Sequence, residues 1–444
     1  MKKAVTRLLA LSLLALPAGA LADTSIHSTT MFHLFQDSRT GFPEKRYAPA
    51  TQFLGVDVDK LGDGNLSLHL YGWGRLDLAD KSYNDSQPEG SLTYGYAQYR
   101  LAQANGQARL GRLLVTEGIA NEYLDGLSVS TDLPYGFGIS AFGGATVRTV
   151  NLPGENTDGK GDGIFGGRVS YRRGGRLELG LSGVYESSAP TLQNRQLAAD
   201  GKFGSHRLIG GDLWLAPHRM VDLMGRTSFN TETGGVAEHS YLVNVRPTND
   251  LSLSLEYDEQ RERDLFYSSI FFAGLVENLN DRSRSMGGRA SYQLSKATEL
   301  TGDFKHYRRD LGEADRFGGE LRWLLMDRAL RTGAGYHYLR SSREFAVVPS
   351  SGASGSFHEL RGFAMYSGKK YFASLDAIGF FFKEEINNRP NALELIGSLG
   401  YHLTPSLALS GDLSYGSNPQ FLDELQGVVR LTYNMNYSAK GASK

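Results

Sequence analysis

One glycine motif in the sequence has the spacing of a dinucleotide-binding loop. Gly161, Gly163 and Gly166 match the pattern G-x-G-x-x-G. Such a loop binds a pyrophosphate where a strand leads into it and a helix follows it, because the helix N-terminus presents backbone amides to the phosphates. Here the motif follows a polar loop and begins an alternating segment typical of a strand. We therefore interpret the match as coincidental.

Three acidic residues in the same loop could bind a calcium ion. Glu155, Asp158 and Asp162 carry the oxygen ligands that Ca²⁺ prefers. Their spacing is not that of a calcium-binding loop, so a solvated loop tip is the favoured interpretation.

The residue types needed for metal binding or catalysis are missing or scattered. The chain has no cysteine and 10 histidines. Without cysteine there is no disulfide, no thiolate metal site and no covalent haem attachment, so any haem would belong to a partner. The histidines form no H-E-x-x-H motif, and no local Ser, His and Asp set marks a barrel hydrolase. We predict no catalytic, cofactor-binding or metal-binding residues and no enzyme activity.

Charged residues recur at alternate positions of many segments, opposite apolar residues. A charge on the lipid face of a barrel costs about 2–4 kcal/mol at the membrane midplane, so the alternation places these residues toward a lumen. Both signs are interleaved, so they form no ladder selective for anions or cations. The predicted lumen-facing residues are Arg168, Arg172, Glu178, Arg226, Glu256, Asp258, Arg289, Asp303, Glu320, Arg322, Asp412 and Arg430.

The clearest alternation lies within residues 392–417. Every second residue from Leu393 to Leu403, and again from Leu407 to Tyr415, is leucine, glycine or tyrosine. A period of two is that of a β-strand, whose successive side chains point to opposite faces. The intervening Thr-Pro-Ser interrupts the pattern, since proline fixes φ and lacks a donor. The segment is predicted to be a hairpin whose apolar face, about 25 Å tall, matches the lipid-facing band of an outer-membrane barrel.

Similar hairpins follow one another along the chain, and short turns alternate with longer polar loops. We predict an all-β fold, a transmembrane antiparallel up-and-down β-barrel of about 22 strands within a range of about 18 to 22. The first strand starts so early that no plug domain is expected ahead of the barrel, unlike in a large gated transporter. A soluble sandwich or propeller would not need so tall an apolar face on nearly every strand.

The N-terminus has the three regions of a secretory signal. Lys2, Lys3 and Arg7 are basic, residues 8–16 are apolar, and residues 20–22 read A-x-A. The apolar run is shorter than the ~20 residues of a membrane helix. We predict a signal peptide at residues 1–22, a barrel at 23–437 and a short polar periplasmic tail at 438–444. Export together with amphipathic strands predicts the outer membrane of a Gram-negative cell.

The net charge of the 444-residue chain is −1. A nearly neutral protein offers no argument for a nucleic-acid partner. The partner that the alternating apolar face predicts is outer-membrane lipid.

One segment carries a resemblance to a known family. Residues 110–144, LGRLLVTEGIANEYLDGLSVSTDLPYGFGISAFGG, in a cysteine-free barrel with a signal peptide, resemble the barrel subunits of porin–cytochrome conduits of metal-reducing bacteria. The resemblance implies a sheath around a multihaem c-type cytochrome that carries electrons across the outer membrane, with periplasmic and surface cytochromes as partners. It implies no site residues and no haem bound by this chain itself.

Two functions follow from these observations. The sheath of an electron-transfer conduit is the first hypothesis. A stand-alone diffusion porin for small hydrophilic solutes is the alternative, and a barrel enzyme is a distant third.

Overall fold

The computed structural model describes residues 23–37, 45–79, 88–147, 163–190, 203–261, 282–309, 312–342, 355–419 and 423–437. Three sequence predictions lie outside these ranges: the signal peptide at 1–22, the polar tail at 438–444, and the acidic loop with Glu155, Asp158 and Asp162.

The described chain is almost entirely β-strand. The first strands are β1 (Asp23–Asp37), β2 (Lys45–Tyr47), β3 (Pro49–Leu61), β4 (Leu66–Asp77), β5 (Glu89–Leu101), β6 (Gly106–Glu117), β7 (Ala120–Asp132), β8 (Phe137–Thr146), β9 (Ile164–Arg173), β10 (Leu177–Pro190), β11 (Phe203–His218) and β12 (Val221–Asn230). The remaining strands are β13 (Gly235–Val245), β14 (Leu251–Arg261), β15 (Arg282–Ser295), β16 (Thr298–Arg309), β17 (Gly312–Leu325), β18 (Leu330–Ser341), β19 (Phe357–Ser367), β20 (Tyr371–Ile386), β21 (Arg389–Thr404), β22 (Leu407–Ser417) and β23 (Glu424–Tyr437). Within these ranges the helical segments are two short 3₁₀ turns, Ala102–Ala104 and Pro134–Gly136.

From β3 onward each strand pairs antiparallel with the next, and β1 pairs with both β3 and the last strand. Strand β1 pairs with β23 from Thr24 opposite Tyr437 to Phe35 opposite Gln426, which closes the sheet. The described strands form a closed barrel of 22 strands, in agreement with the predicted architecture and strand number. The short β2 continues the line of β3, since one residue separates them and both pair with β1.

The outer face of the barrel is apolar and exposed. In β10, for example, Leu179 and Leu181 are 45% and 74% exposed, while Glu178 and Ser182 lie on the opposite face. The pairing of β1 with β23 leaves no strand at a free end of the sheet, which is the condition for strands to cross a membrane. We call the face opposite these exposed apolar side chains the inner face. No helix in the described ranges is long and apolar enough to cross a membrane.

The first strand carries two polar residues, Ser28 and Thr30, on its outer face, and both bond to Gln52 on β3. The Thr30 hydroxyl donates to Gln52 Oε1 (2.6 Å), and Gln52 Nε2 donates to Ser28 Oγ (2.9 Å). Polar groups that satisfy each other are tolerated in hydrocarbon, where unpaired groups are not. This network accounts for the weak apolar pattern of β1 in the sequence.

Candidate functional site

The tip of the β6–β7 hairpin leaves the barrel wall. Strand β6 pairs with β5 only as far as Arg112, opposite Gly95, and β7 pairs with β8 only from Leu124, opposite Thr146. Between these points the two strands pair with each other. Within the described ranges, their backbone contact with a wall neighbour is one hydrogen bond at the end of β8, from the Val147 amide to the Tyr123 carbonyl oxygen (3.0 Å). We call residues 113–123 the inner hairpin.

The inner hairpin packs on the inner face of the neighbouring strands. At its turn, the Ile119 amide donates to the Ser182 hydroxyl on β10 (3.2 Å), and the Glu117 carboxylate accepts from the Ser140 hydroxyl on β8 (3.0 Å). Ser182 lies opposite the exposed face of β10, so these contacts are inside the barrel. The hairpin therefore folds into the lumen and covers part of the wall formed by β8–β11.

A buried apolar cluster holds the inner hairpin against the wall. Leu113 and Val115 of the inner hairpin, and Leu124 directly after it, are 0% exposed. They pack in one cluster with residues of four wall strands, namely Phe142, Ile164, Val184 and Leu208. Burying a leucine or valine side chain stabilises a fold by about 1.5–3 kcal/mol, so this contact holds the hairpin firmly.

Replacing Leu124 by alanine is expected to loosen the inner hairpin. Removing a fully buried leucine side chain costs about 2–5 kcal/mol, through lost burial and the cavity left behind. The free energy of unfolding in detergent micelles, measured by urea titration, should fall by that amount. The matched control is Leu127→Ala on the same strand, because Leu127 is 46% exposed on the outer face. Equal losses in the two variants would contradict the packing described above.

Glycines permit the sharp bend by which the hairpin leaves the wall. Gly111 has a φ of +132°, a conformation that residues with a side chain rarely adopt. A Cβ at Gly126 would overlap the carbonyl oxygen of Gly143, and one at Gly144 would overlap that of Asp125. Only glycine allows the two strands to approach this closely at the bend.

An ion pair on the outer face marks the same bend. Arg112 and Asp125 form two hydrogen bonds, of 2.8 Å and 2.7 Å. The Arg112 guanidinium also donates to the carbonyl oxygen of Leu92 on β5 (3.0 Å). Leu92 precedes Gly95, the residue at which β5 begins to pair with β6. Arg112 thus satisfies a backbone acceptor that the departing strand leaves behind, and Asp125 balances its charge.

Charged residues surround the tip of the inner hairpin. Arg168 on β9 contacts Glu178 on β10 (2.9 Å) and Asp212 on β11 (Nε to Oδ2, 2.9 Å), so it links three strands. Arg172 contacts the same Glu178 at 3.4 Å. A Cβ at Gly118, in the hairpin turn, would meet the side chains of Arg168 and Asp212. The turn therefore rests directly on this charged group.

The other predicted lumen-facing residues mostly bond to partners of opposite charge on nearby strands. The contacts are Arg226 with Glu238 (2.6 Å), Glu256 with Lys305 (2.7 Å), Asp258 with Ser240 (2.7 Å), Asp303 with Arg316 (3.0 Å) and His337 (3.0 Å), Glu320 with Arg322, and Asp412 with Arg430 (3.0 Å). Arg289 lies opposite Asp303 on β16 and forms no ion pair within the described ranges. These contacts distribute positive and negative charge around the wall without a run of one sign.

The described residues show no metal site and do not form a dinucleotide-binding loop. No group of three or more His, Asp or Glu side chains in the described part of the chain could hold a metal ion. The second half of the glycine motif, from Ile164, begins strand β9 rather than a helix. Gly161 lies outside the described ranges.

Sequence reasoning missed the inner hairpin. Its residues alternate like those of any wall strand. The period of two therefore predicts strands, but it does not show whether they lie in the wall or inside the lumen. Two signals were present. The connection Gly118-Ile119 is short, whereas the connections before β5 and after β8, at the same end of the barrel, are long. Gly111, Gly126 and Gly144 also lie side by side on neighbouring strands.

The comparisons with known proteins concern the fold alone. No protein-family model and no curated protein matches this chain. Among solved structures, a mutant of the ferric enterobactin receptor from Pseudomonas aeruginosa aligns with a TM-score of 0.56 and 12% identity, covering 93% of this chain and 80% of the receptor. Another mutant of that receptor, in complex with enterobactin, aligns with a TM-score of 0.55 and 12% identity, covering 92% and 81%.

This similarity corrects the predicted fold class on one point. We expected the lack of a plug to separate this barrel from large gated transporters. That prediction is wrong, because the receptors whose barrels it matches are plug-bearing TonB-dependent receptors. The physical reason is that strand number and stagger determine the wall of a barrel whatever occupies its interior. The described ranges contain no plug helices.

Proposed function

We propose that this chain forms a pore in the outer membrane of a Gram-negative bacterium, through which small hydrophilic solutes diffuse. The exposed apolar outer face suits a lipid environment, and the polar inner face suits water. The predicted signal peptide supports export to that membrane.

The inner hairpin is the observation that carries this proposal. It narrows the lumen with a segment of the wall itself, held by the buried cluster around Leu113 and Leu124. The opposite face of the hairpin presents Thr116 and Asn121, which are exposed. A rigid, polar constriction of this kind limits the size of the solutes that pass and does not need to move for each solute.

The paired charges of the inner face suit solutes of either sign. Groups such as Arg168 with Asp212, and Lys305 with Glu256, neutralise one another within the wall. Channel selectivity arises where charges of one sign form rings or ladders, and these groups do not. We infer a pore with weak ion selectivity.

The cytochrome sheath implied by the sequence resemblance is not supported by the comparisons. The inner hairpin also lies in the lumen, where a cytochrome would have to sit. A haem-bearing partner therefore stays a prediction from the sequence.

Purification in mild detergent followed by two measurements tests the proposal. We expect no haem absorbance in barrels extracted from the native membrane. We expect the same material to give stable, ohmic conductance steps in planar bilayers, with nearly equal permeability to potassium and chloride in a salt gradient.

Each of these measurements has an outcome against the proposal. A haem spectrum with one multihaem chain per barrel would establish the sheath instead. Folded, haem-free barrels that do not conduct would exclude an open pore.

A further inference from the structure

Four aromatic side chains form a continuous row on the inner face of β4 and β5. We call His69, Tyr71, Tyr94 and Tyr96 the aromatic ladder. The rings of Tyr71 and Tyr94 stack with centroids 5.6 Å apart at 20°, and those of His69 and Tyr96 lie 4.9 Å apart. Tyr94 and Tyr96 join the two pairs at 6.0 Å.

The position of these residues on the inner face follows from their neighbours. Leu68 and Leu70 alternate with His69 and Tyr71 along β4, and both leucines are exposed on the outer face. Gly55 lies opposite Tyr71 on β3, and a Cβ there would come within 3.0 Å of the Tyr71 ring. The glycine thus lets the Tyr71 ring lie close to the wall.

The ladder adjoins the constriction. Tyr96 packs against the buried cluster that holds the inner hairpin. A solute in the narrowed part of the lumen would therefore pass beside the ladder.

Polar atoms without partners border these rings. The hydroxyl groups of Tyr71, Tyr94 and Tyr96 make no hydrogen bond within the described ranges. His69 Nδ1 donates to Asp57 Oδ1 (2.7 Å), while its Nε2 atom is buried and has no partner in the described part of the chain.

We propose that the aromatic ladder is a binding subsite for saccharides, at which a pyranose ring stacks on Tyr71 and Tyr94. This inference rests on the proposed pore and specifies a class of solute for it. A pyranose has apolar C–H faces and a rim of hydroxyl groups. The rings cover a face of that kind, while the free tyrosine hydroxyls meet the hydroxyl rim.

The polar rim favours a saccharide over a flat aromatic solute. An aromatic acid such as benzoate would stack on the rings but would leave most of these polar atoms unpaired. Its carboxylate would also approach Asp57 on the adjacent strand, which carries the same charge. The ladder thus matches a neutral ring with hydroxyl groups.

Calorimetric titration of the detergent-solubilised barrel with maltotriose tests this subsite without requiring conduction. We expect saturable binding that weakens by about tenfold or more in the double variant Tyr71→Leu, Tyr94→Leu, because both rings on which the pyranose stacks are removed. The control is Tyr99→Leu, on the same strand as Tyr94 but exposed on the outer face, which should bind like the unchanged protein. Heat-modifiable gel mobility verifies that each variant is folded.

The same proteins in planar bilayers separate this inference from the proposed pore. Maltotriose should reduce the ion current more than a polyethylene glycol of equal size, and the double variant should abolish that difference. Conductance without calorimetric binding would overturn the subsite and leave the pore. Calorimetric binding without conductance would overturn the pore and leave the subsite. Benzoate binding as tightly as maltotriose would overturn the assignment to saccharides.

Discussion

Shortening the inner hairpin is expected to raise the single-channel conductance severalfold. In this variant Asn-Gly replaces residues 116–121 and joins Val115 to Glu122, which pair with each other in β6 and β7. An Asn-Gly turn suits a two-residue hairpin connection, so the strands should still close. The part of the hairpin that rests on Arg168 and Ser182 would be missing, and the water-filled section of the lumen would widen.

The control for this experiment is the same Asn-Gly replacement in an exposed turn outside the inner hairpin. Replacing residues 231–234, the exposed turn between β12 and β13, by Asn-Gly should leave the conductance as it was. The cut-off size for neutral polymers that enter the pore should increase only in the inner-hairpin variant. A folded variant with unchanged conductance would show that the inner hairpin does not limit the pore.

Gly126→Val is expected to prevent the inner hairpin from docking and to abolish most of the folded barrel. A side chain at this position would overlap the Gly143 carbonyl oxygen and the Gly144 Cα atom, both of which are backbone and cannot rotate away. Overpacking in a close contact costs about 1–3 kcal/mol or more, and here it also removes the bend on which the buried cluster depends. The measurement is the fraction of heat-modifiable, folded protein after assembly into membranes.

Gly411→Val provides the matched control. Gly411 lies in β22, on the face that carries Leu409 and Leu413, and a Cβ there would meet nothing within 4 Å. A valine at this position adds apolar surface toward lipid, so folding should be preserved. If both variants assembled equally well, the close approach at Gly126 would not be needed for the bend.

The inner hairpin lies within residues 110–144, the segment that carries the sequence resemblance. The segment Leu-Leu-Val at 113–115 has the composition of a wall strand. Its role in the protein is instead to cover the inner face of β8–β11. The constriction and the wall are thus built from the same kind of sequence, and one continuous chain forms both.

The sequence by itself determined the wall of this protein. The period of two in segments such as residues 392–417 predicts strands β21 and β22, and the alternation of turns and loops predicts an even strand number near 22, as found. These features are local, because each strand must present one face to lipid and pair with the next strand along the chain.

Only the tertiary structure decided what lies inside the wall. Leu113 and Leu208 meet in one buried cluster although they are far apart in the chain, and the tyrosines of β4 and β5 form a ladder only because the register sets them side by side. An alternating pattern says that a side chain points to one of two faces. The pattern does not say whether that face meets water or another layer of the same chain. The answer depends on which strands the bend at Gly111 and Gly126 brings together.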